Sequence, residues 1–448
     1  MFKRDIIGDL LAWKNDPLRK PLLLRGARQV GKTTVVNMLG GYYAQYIYLN
    51  LEQADKGLSF KEYGKINQLV EQIFFLYDKD ISKIGETLLF IDEIQEIPEA
   101  LNMLRYFYEQ VPELHVIAAG SLLETAINGQ HKIPVGRVDY KILRPVSFHE
   151  FLLAMGEETA VKAWNEVPAK PFTHEKLMSL FHTYLLIGGM PEIVMHYRTN
   201  KNLVALADVY QSLIYAYLND VEKYGRNNNL TQIIRHTIHT AFLEAGSRIR
   251  FQGFGQSNYG SREVGEAMQT LQKVMILQLI YPTTSTKIPL LPDRKKSPRL
   301  QVLDTGMLNF FAGIQKELIV STDIEQVYKG KVAEHIVGQE LLAAKYSILN
   351  ELHFWVREKS TSNAEVDFVY LYDSKLIPVE VKSGATGTLK SLHAFMDLAD
   401  HQIAVRIYGG PLRTDTLLSP NGKTYTLINL PYYLTAKIED YLKLYADV

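Results

Sequence analysis

The sequence of 448 residues contains no cysteine, which excludes disulfide bonds, thiolate metal sites and cysteine nucleophiles. It also lacks an excess of either charge, because 49 lysine and arginine residues balance 49 aspartate and glutamate residues. A neutral chain has no overall field that attracts nucleic acid or an anionic membrane. Any such contact must therefore depend on a local patch.

Long apolar runs are missing as well. The longest, such as Val274–Tyr281 and Tyr184–Ile187, are much shorter than the roughly 18 residues that a membrane-spanning helix requires. The amino-terminal letters MFKRD are charged and are not followed by the apolar segment and cleavage site of a signal peptide. With 47% hydrophobic and 22% charged residues, we expect a globular, cytoplasmic protein with no membrane partner.

The most informative segment is GARQVGKT, which has the G-x-x-x-x-G-K-T pattern of a phosphate-binding loop. An apolar run, Leu22–Leu24, precedes it, and a helix is predicted from about Val30. A strand that enters such a loop and leaves it as a helix directs backbone N–H groups and the helix dipole toward one point, where a polyphosphate is stabilised. The nucleotide-binding residues predicted on this basis are Gly26, Ala27, Arg28, Gln29, Val30, Gly31, Lys32, Thr33 and Thr34.

The loop predicts ATP and Mg²⁺ as cofactors. Lys32 supplies a mobile positive charge for the β- and γ-phosphates, and the Thr33 hydroxyl is placed to ligate Mg²⁺. The Arg28 side chain is expected to face outward and to take no part in catalysis.

A second part of the ATP site is predicted about sixty residues later, where the run Thr87–Ile91 ends in Asp92 and Glu93. This pattern is typical of a buried parallel strand that delivers two acids at its carboxyl end, the ligand-binding edge of open α/β sheets. Asp92 would hold Mg²⁺ and Glu93 would act as the general base on the attacking water. A solvated acidic turn is the alternative, which the upstream loop makes less favourable.

Two further residues are predicted to act at the ATP site, each with an alternative. Ser121 follows the strand His115–Ala119 and either senses the γ-phosphate or caps the next helix. Arg137 follows Gly136 before the next strand and either stabilises the transferring phosphoryl group, in cis or across a subunit interface, or is a solvated surface arginine.

The carboxyl-terminal part contains a second group of charged residues. Glu334 lies early in a predicted helix, Asp367 lies in a strand, and Glu380 and Lys382 share one face of the next strand while Val381 faces the core. Asp367, Glu380 and a backbone carbonyl could coordinate a second Mg²⁺ while Lys382 orients the attacking water. The arrangement resembles the PD-(D/E)XK nuclease fold, with Glu334 as its accessory acid.

The nuclease interpretation has alternatives. Val366 rather than proline precedes Asp367, and an E-x-K triplet on an exposed strand is also a cross-strand salt-bridge pattern. Glu365 shares a strand face with Asp367 and could assist it. Folds of this type also persist as binding scaffolds without a metal site.

The middle of the chain is predicted to contain a winged helix. Helix patterns precede two short strands, Leu277–Pro282 and Arg299–Leu303, with the basic run Arg294–Lys296 at the tip of the wing. Such a segment either contacts DNA phosphates or packs against the nucleotide domain.

Several segments together resemble a large prokaryotic group of AAA-type ATPases related to the archaeal ATPase branch. They are GARQVGKTT, FIDEIQEI, IAAGSLLE, VGRV, LRPVSFHEF and YLLIGGMPEIV, and the similarity continues through YLND to VEVK near the carboxyl terminus. The resemblance implies an ATPase core, a winged-helix segment and a nuclease-like terminal domain. It does not imply a biological role.

The predicted fold class is α/β, with a P-loop NTPase parallel-sheet domain, a helical and winged-helix middle segment and a carboxyl-terminal α/β restriction-endonuclease-like domain. The predicted boundaries are 1–150 for the AAA-type domain, 151–225 for a helical lid, 226–315 for the winged helix and 325–448 for the nuclease-like domain.

Two functions are consistent with the sequence. The first is an ATP-hydrolysing switch coupled to a nuclease-like domain that acts on or binds DNA or RNA. The second is a signalling or scaffold protein in which slow ATP turnover sets the conformation and an inactive terminal domain binds an unidentified protein. A small-molecule kinase fits less well, because no separate acceptor pocket is evident. Monomer and homo-oligomer both remain open.

Overall fold

The structure, a computed structural model, describes residues 2–53, 66–120, 136–225, 227–315, 331–359, 362–382 and 389–445. Its amino-terminal region is a parallel five-stranded sheet with strand order β2-β3-β4-β1-β5. The strands are β1 (Leu22–Arg25), β2 (Gln45–Asn50), β3 (Thr87–Asp92), β4 (His115–Ala119) and β5 (Asp139–Ile142). The helices are α1 (Ile6–Asn15), α2 (Lys32–Gly40), α3 (Ile66–Leu76) and α4 (Pro98–Gln110).

The apolar runs of the sequence become the inner strands of this sheet. Every residue of β3 and β4 is buried, as expected for strands covered by helices on both faces. One apolar core on one side of the sheet includes Ile73 and Leu104, and another on the opposite side includes Leu10 and Val36. The predicted parallel α/β domain is confirmed, and the carboxyl ends of its strands form the edge at which the ATP site is predicted.

A run of helices follows the sheet, as the periodicity of the sequence predicts. The first of them begins with a capping box in which Ser147 and Glu150 bond each other's backbone N–H groups, which fixes where the helix starts. The helices are α5 (Phe148–Met155), α6 (Glu158–Asn165), α7 (His174–Ile187), α8 (Pro191–Asn200) and α9 (Ala207–Tyr224).

The middle region contains two helices, an antiparallel strand pair and a third helix. They are α10 (Asn228–Leu243), α11 (Ser261–Lys273), β6 (Leu277–Thr283), β7 (Arg299–Val302) and α12 (Thr305–Phe311). The order of two helices followed by a strand pair is the order that the sequence predicts. The comparison with a winged helix stays a prediction.

The carboxyl-terminal region is a helix followed by a mixed sheet. Its helices are α13 (Lys331–Ala343), α14 (Lys390–Met396) and α15 (Ile438–Tyr445). Its strands are β8 (His353–Lys359), β9 (Ser362–Val366), β10 (Phe368–Tyr372), β11 (Lys375–Lys382), β12 (Ile403–Tyr408), β13 (Arg413–Leu418) and β14 (Thr424–Pro431). The main sheet has the order β10-β11-β12-β14-β13, with β11, β12 and β14 parallel.

The middle and carboxyl-terminal regions share a second sheet, of order β7-β6-β8-β9. In it β6 pairs with β8 in parallel, with Tyr281 opposite His353. One continuous apolar core also extends from Val146 to Leu442 and joins the helical, middle and carboxyl-terminal regions. The predicted boundary between residues 315 and 325 is therefore crossed by both a sheet and a core.

Among the helices in the described ranges, none combines the length and the apolar character that a membrane crossing requires.

Candidate functional site

The phosphate-binding loop connects β1 to α2 at the carboxyl edge of the parallel sheet. Ala27 and Val30 are buried and anchor the loop, whereas Arg28 and Gln29 are exposed. Gly31, immediately before α2, has a φ of 95°, which a glycine adopts without the steric cost that a side chain brings. A Cβ on Gly26 would lie 2.5 Å from the Leu143 carbonyl oxygen, so the loop fits against the residue that follows β5 only with glycine at that position.

Lys32 closes the loop on itself. Its Nζ donates hydrogen bonds of 2.9 Å to the carbonyl oxygens of both Gly26 and Ala27. Burial lowers the pKa of Lys32 to about 8, and the carboxylates of Glu93 and Asp92 oppose part of that shift. A phosphate would add a directly bonded negative charge to this buried ammonium, whose hydrogen bonds are to carbonyl oxygens.

The second half of the predicted ATP site lies directly beside the loop. Thr33 Oγ1 donates a 2.7 Å hydrogen bond to Asp92 Oδ2, and the Tyr48 hydroxyl lies 3.2 Å from the same oxygen. Burial raises the pKa of Asp92, while the hydrogen bond from Thr33 lowers it. A hydroxyl and a carboxylate at this distance are hard oxygen ligands of the kind that Mg²⁺ takes, so the residues fit the predicted metal.

Glu93 has a left-handed backbone, with φ 50° and ψ 45°. This conformation costs a residue other than glycine about 1–2 kcal/mol, and such strain is concentrated at functional sites. Its Oε2 accepts a hydrogen bond of 2.5 Å from Gln95 Nε2. Gln95 was not identified from the sequence, although it lies within the same FIDEIQEI segment.

The remaining predicted residues differ in placement. Thr34 is exposed on α2. Ser121 lies outside the described residues. Arg137 precedes β5 at the amino-terminal edge of the sheet, opposite to the loop, and its Nε lies 2.9 Å from Glu109 Oε1. This placement does not suit a role at the ATP site of the same chain, and a role in trans stays a prediction.

Helix α9 contacts the phosphate-binding loop through two residues that were not assigned to the site from the sequence. The Asp220 carboxylate forms an ion pair with Arg28 Nη1, and the Tyr217 hydroxyl donates 2.6 Å to the Arg28 carbonyl oxygen. Both belong to the YLND segment, so the resemblance contained a signal. Arg28 is thus engaged by the helical region rather than simply facing outward.

Arg4 is a second contact that the sequence gave no sign of. Its buried guanidinium donates to the carbonyl oxygens of Val30, at 2.9 Å, and Arg144, at 2.8 Å. Its Nε lies 2.9 Å from Glu150 Oε1. Arg4 therefore ties the phosphate-binding loop to the segment after β5 and to helix α5.

The charged residues predicted at the carboxyl-terminal site do come together, but around an arginine. Arg299 of β7 is buried, with Nη1 3.0 Å from Glu334 Oε2 and Nη2 3.8 Å from Asp367 Oδ1. It also forms an ion pair with Glu365 and donates 3.1 Å to the Asp367 carbonyl oxygen. Lys382 pairs with Glu380 at 2.5 Å.

The environment of these carboxylates is strongly desolvated. Burial raises the pKa of both Glu334 and Glu380 to about 8, and the negative charge of Asp367 adds to each shift. The negative side chains raise the pKa of Arg299, against the opposing effect of burial. Ion pairs with Arg299 and Lys382 therefore stabilise the buried carboxylates.

The second Mg²⁺ site that the sequence predicts at Asp367 and Glu380 stays a prediction. The described residues contain no group of three or more histidine, aspartate or glutamate side chains arranged to hold a metal ion. Asp367 Oδ2 instead accepts a 2.8 Å hydrogen bond from the Val381 N–H, and Arg299 provides the positive charge. The sequence missed Arg299 because it lies in another region of the chain.

Comparisons with known proteins agree with the amino-terminal fold. Residues 18–152 match a family model described as an AAA domain. This region is therefore similar to AAA domains. Residues 178–318 and 329–433 match two domains of unknown function, DUF8612 and DUF4143.

No match was found among the curated proteins. Among solved structures, the chain is similar to the Walker-type ATPase PABY2304 of Pyrococcus abyssi, with 14% identity and a TM-score of 0.44. The similarity covers 69% of this chain and 96% of that one.

Proposed function

We propose that the protein is an ATP-hydrolysing switch in which the helical region follows the state of the ATP site. The observation that carries the proposal is the 2.7 Å contact between Thr33 and Asp92 beside the Lys32 ammonium. It joins a phosphate-binding loop to an acidic strand end, the two parts that phosphoryl-transfer sites of this class share.

Each residue of the ATP site has a separate role in binding or hydrolysis. Backbone N–H groups of residues 26–33 and the Lys32 ammonium bind the phosphates, for which Lys32 exchanges its contacts with the loop carbonyls. Thr33 and Asp92 would hold Mg²⁺, which when bound neutralises phosphate charge. Glu93 accepts a proton from the attacking water, and Gln95 orients its carboxylate.

The link from the ATP site to the rest of the chain is proposed to run through Arg28 and Arg4. Arg28 contacts helix α9 through Asp220 and Tyr217, and Arg4 contacts helix α5 through Glu150. A nucleotide that changes the loop therefore acts on both helices at once. This is the physical requirement for a switch, two contact sets whose balance a ligand can shift.

For the carboxyl-terminal region we favour a binding or scaffold role over a metal-dependent nuclease. The order of β8, β9, β10, β11, α14 and β12, and the grouping of Asp367, Glu380 and Lys382, support a nuclease-like topology. Arg299 within the carboxylates supports the scaffold role, because a buried guanidinium and a divalent cation compete for the same charges.

The proposal is tested by ATP binding and phosphate release with matched variants. Lys32→Ala should weaken Mg-ATP binding at least about tenfold, because it removes a charge-assisted phosphate contact. Glu93→Gln should retain binding and lose at least about a hundredfold in turnover, as expected for loss of a general base. The controls are Lys83→Ala and Glu96→Gln, both on exposed residues.

The Lys32→Ala and Glu93→Gln variants test different parts of the proposal. Unchanged binding and turnover in Lys32→Ala would contradict the assignment of the ATP site. Unchanged turnover in Glu93→Gln would contradict only the choice of base.

A further inference from the structure

A cavity of about 390 Å³ lies where three regions of the chain meet. Arg25 at the end of β1 and Arg144 after β5 line it from the AAA-type domain. Lys273 lines it from the end of α11, and Asn350 from the connection between α13 and β8. The cavity is separate from the ATP site, because none of the described loop residues 26–34 lines it.

The lining of the cavity is strongly cationic. Arg25, Arg144, Lys273 and Arg294 all contribute to it, and Glu351 is the one acid among the described residues that do so. The whole chain has no net charge, so this excess is a local feature. A concave wall with one sign of charge concentrates ligands of the opposite sign.

Arg144 is half-buried, and among the described residues no acid forms an ion pair with its guanidinium. Burial lowers the pKa of its guanidinium to about 10, and no neighbouring charge contributes to the shift. Its Nε has no hydrogen-bond partner among the described residues. A partly buried cation without an ion-pair partner is incompletely compensated, so an anion that reached Arg144 would be bound with a gain in free energy.

The size and the other walls of the cavity restrict what that anion can be. Its volume is within the range of roughly 300–1,000 Å³ that is typical of small-ligand sites. A guanidinium matches the oxygens of a phosphate with two parallel hydrogen bonds. Gln269 and Gln272 offer amide groups, and Ile142 and Met275 offer apolar surface for an organic part.

We propose that this cavity binds a phosphorylated small molecule of about nucleotide size. Its phosphate pairs with Arg144 and Arg25, and its organic part contacts the amide and apolar walls. The basic loop that carries Arg294, which the sequence places at the tip of a wing, contributes to this site.

The site is connected to the ATP site by short contacts. Arg25 is the residue before Gly26, where the phosphate-binding loop begins. The Arg144 carbonyl oxygen accepts from Arg4, which also donates to Val30 in the loop. An occupied cavity therefore acts on the groups that hold the loop. This effect on ATP turnover rests on the proposed function, whereas binding in the cavity does not.

The test uses calorimetric titration of the full-length protein with inorganic pyrophosphate. All measurements are made in a Lys32→Ala background, which weakens binding at the ATP site. Any pyrophosphate binding that remains is then assigned to the cavity, so that the two proposals are tested separately. Pyrophosphate should still bind, and Arg144→Gln should weaken it at least about tenfold, the loss expected for a charge-assisted hydrogen bond. Arg198→Gln, on an exposed arginine of α8, is the matched control and should leave binding unchanged.

Arg294→Gln is the second variant, because Arg294 is exposed at the rim and its replacement is compatible with folding even where Arg144→Gln is not. It should also weaken pyrophosphate binding. The proposal is overturned by an absence of binding in the Lys32→Ala protein, or by equal binding in Arg294→Gln and the control. A nucleic-acid site is the other outcome that overturns the proposal. In that case a ten-nucleotide single-stranded oligonucleotide would displace pyrophosphate, and Arg144→Gln and Arg294→Gln would weaken binding of the oligonucleotide.

Discussion

At the scale of single residues, Arg299 decides what the carboxyl-terminal carboxylates can bind. Glu334 and Asp367 were identified from the sequence as acids that converge, and both lie within 4 Å of the same guanidinium. Removal of one partner from a buried ion-pair cluster leaves uncompensated charge, which costs far more than the net contribution of the intact pair. Arg299 is therefore a structural requirement of this cluster.

The first prediction concerns the substitution Arg299→Gln. It should lower the free energy of unfolding by about 3–5 kcal/mol, because the carboxylates it contacts would remain buried without a cation. Arg248→Gln is the control, since its 3.6 Å contact with Glu365 is partly exposed and is expected to contribute about 1 kcal/mol or less. Urea unfolding followed by circular dichroism measures both.

A metal site at the same carboxylates predicts a different result. In that case Mn²⁺ would raise the melting temperature of the wild-type protein, and Asp367→Asn would abolish the increase. We expect no such increase that depends on Asp367.

At the scale of elements, a buried carboxylate joins three helices. Glu340 of α13 accepts hydrogen bonds of 3.0 Å from the Phe148 N–H at the start of α5 and 2.7 Å from the Tyr184 hydroxyl of α7. The Gln339 amide also donates 3.1 Å to the Tyr184 hydroxyl. Burial, with a smaller contribution from the nearby acid Glu150, raises the pKa of Glu340 from 4.5 to about 7, against the hydrogen bonds that lower it.

The second prediction is a pH dependence of stability that Glu340→Gln removes. The carboxyl has a higher pKa in the folded than in the unfolded protein, so its contribution is fully present below about pH 4.5 and is lost as the pH rises through about 7. The loss amounts to about 3 kcal/mol. The melting temperature of the wild type relative to Glu340→Gln should therefore fall between pH 5 and pH 8.

The informative quantity is how the difference in melting temperature between the wild type and Glu340→Gln changes with pH. An effect of the glutamine amide that does not depend on pH shifts this difference by a constant and leaves its slope unchanged. Glu166→Gln, on an exposed residue, is the control and should show the wild-type slope. Parallel curves for the wild type and Glu340→Gln would contradict the prediction.

At the scale of the whole molecule, the helical, middle and carboxyl-terminal regions pack together rather than as separate parts. Strand β6 of the middle region pairs with β8 of the carboxyl-terminal region, and one apolar core extends from Val146 to Leu442. Removal of either region would expose a strand edge and part of that core.

The third prediction is that a fragment ending at residue 315 does not fold on its own. It would expose the β6 edge and leave Arg299 without its carboxylates. We expect aggregation or a broad, low-temperature unfolding transition, measured by size-exclusion chromatography and calorimetry. Co-expression with residues 316–448 should restore a soluble complex. A monodisperse fragment with the melting temperature of the full chain would show that the regions are independent.

The sequence by itself determined the features that depend on neighbouring residues. The glycine-rich loop, the buried strand that ends in Asp92 and Glu93, and the helix and strand periods were all predictable, because backbone conformation and side-chain alternation are local. Even the convergence of Glu334, Asp367 and Glu380 followed from the order of a helix and two strands.

Only the tertiary structure decided which distant residues complete each site. Arg299 forms ion pairs with the carboxyl-terminal carboxylates, and Arg4 and Asp220 contact the phosphate-binding loop. Arg144 lines a cavity together with residues of the middle and carboxyl-terminal regions. Each of these contacts joins parts of the chain that no local pattern connects. The physical reason is that long-range ion pairs form where packing places charges in a shared low-dielectric space, and packing depends on the whole chain.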